Sequence, residues 1–323
     1  LGPTAGGKTS LACALAHCLP GGGEVISADS MQVYRGMDVG TAKPTQDERR
    51  YVPHHGFDLL EPDEEGVTVD TWLAFAERTI ADIRGRGRWP IVVGGTNLYV
   101  KALLYGLFEG PEPDPELRRE LNEQPIDVLR AELERVDPDA AERIHPNDQR
   151  RTVRAIEVRR LTGRPISAWQ REWEAAAPRA DAVVIGLDWP VEAINRRINA
   201  RVRQMMERGL LEEVSRLHAA SRFGEQAREA LGYKQMIDHL EGRCSWEDAV
   251  EQVKIRTRRF AKQQRTWFRH FRRLPRSRWI PAEGRDAQNI AEDALALISA
   301  MAELSSPNDA GTGGGRGSEQ LPS

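Results

Sequence analysis

The 323 residues include 46 Lys or Arg and 49 Asp or Glu, a formal charge of −3, with 40% hydrophobic and 29% charged. This is a globular composition, long enough to bury a full core in one large or two ordinary domains, and neither collagen-like nor disordered. Uncharged stretches such as Trp89–Val100 fall short of the ~20 apolar residues of a membrane span, so no membrane partner is expected.

No cationic segment followed by an apolar run opens the chain, so no secretory signal is expected. Cys13, Cys18 and Cys244 form no C-x-x-C pair, which argues against a disulfide framework or a zinc knuckle and makes a reducing cytoplasm the expected setting. The near-neutral total hides segregation. Glu109–Glu142 holds twelve acids and four bases, Arg143–Arg171 eight bases and two acids, and Glu251–Trp279 eleven bases and one acid. Blocks of this kind predict a polyanion-binding surface on a protein that is not basic overall.

In chain order, Thr9–Leu19 is predicted helical, stopped by Pro20-Gly21-Gly22-Gly23. Glu24–Ala28 is predicted as a short buried strand and Thr68–Arg84 as a helix, with Val69, Trp72, Leu73, Ala76, Ile80 and Ile83 on one face. Trp89–Val93 is a second predicted strand, running through Gly94-Gly95-Thr96 into a helix at Asn97–Leu107. Glu116–Trp173 is predicted mostly helical, broken at its prolines, and Ala182–Leu187 is predicted to return as a strand and rejoin the sheet. Two long helices should follow, Val191–Leu217 and Trp246–Phe271. Strand, glycine turn and helix in alternation indicate α/β: a P-loop NTPase-like parallel sheet flanked by helices, with a mostly helical insertion. The expected division is a catalytic core over 1–110, a helical insertion over 111–175, core completion with basic C-terminal helices over 176–304, and a disordered Gly/Ser/Pro-rich tail over 305–323.

Gly2-Pro3-Thr4-Ala5-Gly6-Gly7-Lys8-Thr9 fits G-x-x-x-x-G-K-[ST] at every fixed position. The glycines let N–H groups turn around a phosphate chain, the helix N-terminus and Lys8 add positive charge, and the Thr9 hydroxyl can ligate Mg²⁺. Such a loop should follow a buried strand. None precedes it here, and a start truncated by several residues is the expectation. The second strand ends in Gly94-Gly95-Thr96 without a carboxylate, which weakens a motor or GTPase reading. The acid instead follows the first strand, as Asp29 beside Ser30. On position alone it is either a general base or Mg²⁺ partner or a helix cap.

On Lys254, Arg258, Lys262, Arg265, Arg269 and Arg272 the spacing gives one cationic stripe. It runs beside an apolar stripe of Val250, Val253, Thr257, Phe260, Gln264, Trp267 and Phe271. Cations ~5–6 Å apart suit successive phosphates, and the near absence of acids favours RNA over an ordinary solvated face.

Several ordered segments accompany the GPTAGGKT loop: ISADSMQVYRGMDVGTAKPT (Ile26–Thr45), PHHGFDLLEP (Pro53–Pro62), VGGTNLYVKALLYGL (Val93–Leu107) and RIHPNDQRRTVRAIEV (Arg143–Val158). MMERGLLEEV (Met205–Val214), ALGYKQ (Ala230–Gln235) and TRRFAKQQRTWFR (Thr257–Arg269) complete the set. Together, from Gly2 to about Trp279, they closely resemble the bacterial tRNA dimethylallyltransferase (isopentenyl-diphosphate:tRNA isopentenyltransferase) family. The resemblance implies that the loop holds dimethylallyl diphosphate and that the acceptor is the N6 amine of the adenosine 3′ of the anticodon. It implies that Asp29 is the base, that Thr9 holds the Mg²⁺ cofactor, and that Arg201 helps neutralise the leaving diphosphate. It also implies tRNA contacts at Asp29, Ser30, Met31, Gln32, Thr96, Arg118, Arg150, Arg151, Arg154, Gly232, Tyr233, Lys234, Arg258, Lys262, Arg265 and Arg269. One departure is Lys262-Gln263-Gln264 where the family has K-R-Q, with Arg265 as a partial replacement for the lost cation. His54-His55 is expected to be structural, since no other ligands stand at metal spacing. Nothing in the sequence obliges a dimer, so a monomer is expected. The alternatives are an adenylate isopentenyltransferase acting on free nucleotide, against which the basic segments argue, and a P-loop small-molecule kinase.

Overall fold

A computed structural model of the chain describes residues 1–107 and 110–303; the predicted tail at 305–323 lies outside them. The elements run α1 (Lys8–Cys18), β1 (Gly23–Ser27), α2 (Gln46–Tyr51), β2 (His54–His55), α3 (Val69–Gly85), β3 (Trp89–Val93) and α4 (Asn97–Tyr105). Next come α5 (Pro115–Asn122), α6 (Ile126–Val136), α7 (Pro138–Arg143), α8 (Gln149–Thr162) and α9 (Ile166–Ala175). The chain continues through β4 (Val184–Asp188), α10 (Val191–Glu207), α11 (Leu210–Ala219), α12 (Glu225–Arg228) and α13 (Tyr233–Leu240). It closes with α14 (Trp246–Phe271), β5 (Ser277–Pro281) and α15 (Ala287–Glu303).

Parallel strands β2, β1 and β3 form one sheet in that order, with Ile26 opposite Val92. All five β1 residues are buried, as expected of a central parallel strand covered on both faces. The predicted return of the strand near Ala182–Leu187 occurs as β4, but its pairing differs from expectation. It lies parallel to β5 in a separate two-stranded sheet. Its other edge accepts from the Leu1 amine at Ile185 O (2.6 Å) and donates from Leu187 N–H to Leu1 O (2.9 Å). Alternate residues of a strand address opposite edges, so the residue before the phosphate loop pairs as a strand residue would. Between this edge and β3 lies a cavity of about 490 Å³, bordered by Leu11, Leu15, Ile91, Leu103 and Ile185.

The helix predicted at Val191–Leu217 is two helices. Gly209 has φ +85°, a left-handed conformation that ends α10 and turns the chain into α11. The helix at Trp246–Phe271 has the predicted bounds. The Ser245 hydroxyl accepts the Asp248 N–H (3.1 Å), and Glu247 and Asp248 complement the helix N-terminus.

Tyr34, Met37, Ile194, Ile198, Val202, Tyr233 and Val253 form the largest buried cluster, which joins α10, α11, α13 and α14 to the segment after β1. Trp72 stacks on Tyr99 at 4.6 Å and donates from Nε1 to Ser27 O (2.9 Å), fixing α3 and α4 against the end of β1. Helices α5–α9 enclose a core of their own around Leu121, Leu129, Leu133, Val153 and Ile156. No described helix is long and apolar enough to cross a membrane.

Candidate active site

The phosphate loop is held from outside by its carbonyls. The Gly6 N–H closes the turn on Pro3 O (3.0 Å), and Lys8 Nζ donates to the same oxygen (2.9 Å). Trp189 Nε1 donates to Gly6 O (3.1 Å) and Arg197 Nε to Ala5 O (2.8 Å), with the Arg197 guanidinium 4.7 Å over the Trp189 ring. Thr4 to Thr9 line a cleft of about 360 Å³, into which the N-terminus of α1 opens. A helix N-terminus with a full lysine charge is an anion site.

Charge in the cleft is strongly unbalanced. Lys8, Arg197 and Arg201 line it against the single carboxylate of Asp29. Burial, and then the Arg201 guanidinium, push the Lys8 ammonium down to about 8 against the pull of Asp29. Arg201 also lies below its ordinary value, chiefly from burial, with Arg197 and Arg208 repelling it and Asp29 opposing them. Two crowded cations in a low-dielectric cleft gain most from a multiply charged anion.

Asp29 stands where β1 ends. It caps no helix. Its Oδ1 accepts the Met31 N–H (3.0 Å) in a local turn, and a Cβ added to Gly95 would lie 3.6 Å from its Oδ2. One oxygen is structural and the other faces the turn after β3. Gly94 is required in that turn, because a Cβ there would lie 1.9 Å from Ala28 O. Thr96 Oγ1 accepts the Ser30 N–H (3.0 Å), and the Thr96 N–H donates to Ala28 O (3.0 Å). The loops after β1 and β3 are thus one unit. Gln32 extends it, accepting from Ser27 Oγ (2.8 Å) and donating to Thr41 O (3.1 Å). Met31 packs half-buried against the largest core cluster.

Thr9, in the first turn of α1, and Asp29 both line the cleft, and their side-chain oxygens are donors of the type a hard divalent cation takes. Among the described residues no cluster of three or more His, Cys, Asp or Glu could hold a metal alone. His54 and His55 form β2. His54 Nδ1 is bound to Val52 O (2.6 Å) and His55 Nε2 to Glu24 (2.7 Å).

Residues expected to touch RNA divide in two. Arg150, Arg151, Lys262 and Arg269 are exposed, while Arg265 is half-buried. Others are engaged internally. Buried Glu157 receives Arg118 through Nε (2.9 Å) and Nη2 (3.0 Å), Arg154 Nη1 (2.5 Å) and the Asp114 N–H (2.8 Å). Burial pushes its carboxyl up, but these donors carry it below its ordinary value. Arg258 donates to Asn199 (2.9 Å) and Glu251 (3.2 Å), and Lys234 is paired with Glu229. Tyr233 corrects the expectation: with Gly232 it is buried, and its hydroxyl donates to Glu213 (2.6 Å), so it offers RNA no face. Of the predicted apolar stripe on α14, Phe260 is partly exposed and borders the cleft, while Ala261 and Phe268 take buried positions.

Sequence reasoning missed the residues that hold the site together. Buried Glu213 accepts the N–H groups of Asp38 (3.0 Å), Val39 (2.9 Å) and Gly40 (3.2 Å), pinning the loop that leads out of the cleft. Main-chain partners leave no signature in sequence. Trp189 and Arg197 likewise act on carbonyls. Gln264 alone carried a signal, a carboxamide inside an apolar stripe.

The family model described as IPP transferase matches residues 32–271. The chain is 47% identical over 275 residues to the tRNA dimethylallyltransferase of Shouchella clausii (strain KSM-K16), covering 84% of this chain and 87% of that protein. It is 49% identical over 274 residues to that of Anaeromyxobacter dehalogenans (strain 2CP-C), covering 83% and 90%. Among solved structures, the full-length tRNA isopentenylpyrophosphate transferase of Bacillus halodurans aligns with TM-score 0.68 at 38% identity, over 94% of this chain and 96% of that one. A eukaryotic dimethylallyltransferase acting on tRNA aligns with TM-score 0.78 at 28% identity, over 96% and 80%.

Proposed function

The chain belongs to the IPP transferase family, and from that premise we propose that it moves the dimethylallyl group of dimethylallyl diphosphate to the N6 amine of the adenosine immediately 3′ of the anticodon in tRNA. The observation that carries the reading is one cleft in which a phosphate loop, Lys8 and Arg201 meet Asp29. The loop N–H groups, the α1 N-terminus, Lys8 and Arg201 receive the diphosphate. These fixed donors favour the leaving group most as its charge develops. A bond forms between N6 and the allylic carbon, the carbon–oxygen bond to diphosphate breaks with its electron pair leaving on oxygen, and the amine proton passes to Asp29. An arylamine is a weak nucleophile, so a base in position assists the step. The Thr9 hydroxyl would hold Mg²⁺, which when bound neutralises part of the diphosphate charge. The target base reaches the cleft only by leaving its stack. The exposed cations of α8 and α14 supply the phosphate contacts for that approach.

A kinase reading has less support: β3 ends in Val93-Gly94-Gly95 with no carboxylate to share a metal. Labelled dimethylallyl diphosphate, Mg²⁺ and unmodified tRNA should yield labelled tRNA. Labelling of AMP but not tRNA, or phosphate transfer from ATP, overturns the proposal.

Lys8 gives a further expected result. A bound diphosphate restores an anion beside its ammonium and raises its pKa from about 8. Below that pH the lysine is already charged and adds no pH dependence. Above it binding must take up a proton, so affinity falls by about tenfold per pH unit until the raised value is reached. Calorimetry at pH 8.5 in buffers of different ionisation enthalpy should register net proton uptake in the native chain and less in Lys8→Met. Equal uptake in both removes Lys8 from the diphosphate site.

A further inference from the structure

The helix that offers cations to RNA also reaches into the cleft. On α14, Lys262 and Arg269 are exposed, while Gln264 is 1% exposed within a buried stripe that includes Val253, Thr257, Ala261 and Phe268. A carboxamide in that position is costly unless both its ends find partners. Both do, and both partners are main-chain atoms of the reaction cleft. The Gln264 Oε1 accepts the Thr4 N–H at 2.8 Å, and its Nε2 donates to Gly95 O at 3.2 Å. An N–H can only donate and a carbonyl can only accept, so the partners fix which end of the amide is which. Thr4 belongs to the loop that receives the diphosphate, and Gly95 to the turn that faces Asp29 and carries Thr96. One side chain therefore spans the two loops whose separation sets the distance between leaving group and base.

We propose that Gln264 is a positioning residue, which holds the phosphate loop at a fixed distance from the Gly95–Thr96 turn and so aligns the allylic carbon with the attacking amine. This inference rests on the prenyl-transfer reading of the cleft. Reaction rates respond steeply to the alignment of two bound reactants, whereas the binding of each alone does not. Gln264 should therefore act on the chemical step and leave the affinity for either substrate nearly unchanged.

The test uses the full chain with Gln264→Glu and Gln264→Leu. The glutamate keeps the shape and the acceptor for Thr4 but sets an acceptor oxygen against the Gly95 carbonyl. The leucine removes both bonds. Single-turnover prenylation at saturating substrates should fall by about 10- to 100-fold in both, while dissociation constants for tRNA and for inorganic diphosphate stay within about threefold of the native chain. A single-turnover rate within threefold of native in either variant overturns the inference. So does a loss of both affinities together with the thermal transition, which makes Gln264 an ordinary core residue. If the native chain itself transfers no dimethylallyl group to tRNA, the prenyl-transfer reading fails instead, and this inference falls with it.

Discussion

Asp29→Asn should lower kcat by about 10²- to 10⁴-fold, the range that a positioned base supplies, while KM for dimethylallyl diphosphate changes little. The asparagine oxygen can still accept the Met31 N–H, so the local turn and the unit formed with Thr96 survive the substitution. What is lost is the second oxygen, the one directed toward Gly95, and with it the ability to take a proton. A loss in kcat and kcat/KM alike is the mark of a group that acts in the transition state. Steady-state kinetics with saturating tRNA decide the matter. A kcat within about tenfold of native would move the base elsewhere in the cleft.

The second large effect is expected at Arg201. Removing one preorganised donor from a developing anion costs about 10²- to 10³-fold in rate, and Arg201→Ala should fall in that range in kcat/KM. The crowding of cations adds a second, independent readout. Arg201 is one cause of the depressed Lys8 ammonium, so its removal should raise the Lys8 pKa. The fall of diphosphate affinity with pH should then begin above pH 8 instead of near it. Diphosphate binding measured across pH 7–10 would contradict this account if Arg201→Ala left the position of that fall unchanged.

Legibility in the sequence followed the range of the forces involved. The phosphate loop was readable because a turn around phosphate demands fixed residues at fixed spacing. The same held for α14, whose cap and periodicity are local. β2, with two residues, is too short to have a period, and β5 was overlooked as a strand inside a basic block. β4 was found at its place in the chain, but its parallel partner β5 was not, because pairing is chosen by the fold and not by the strand. The cationic stripe was correctly located on α14. Which cations stay available depends on acids brought close by folding, such as Glu157 with Arg118 and Arg154 or Glu251 with Arg258. Glu213 was invisible as a site residue, and Gln264 signalled itself only as a carboxamide in an apolar stripe, because their partners are peptide groups far away in the chain.

The bond from Thr4 to Gln264 spans 260 residues, and that span sets an order of events during synthesis. At about 5–20 residues per second the ribosome needs roughly 13–50 s between making the first partner and the second. During that interval the emerging phosphate loop has no brace at Thr4. Loop 38–40 is likewise unpinned until Glu213 appears. A nascent chain that ends before Gln264 therefore carries the phosphate-loop residues without the bond that ties Thr4 to α14.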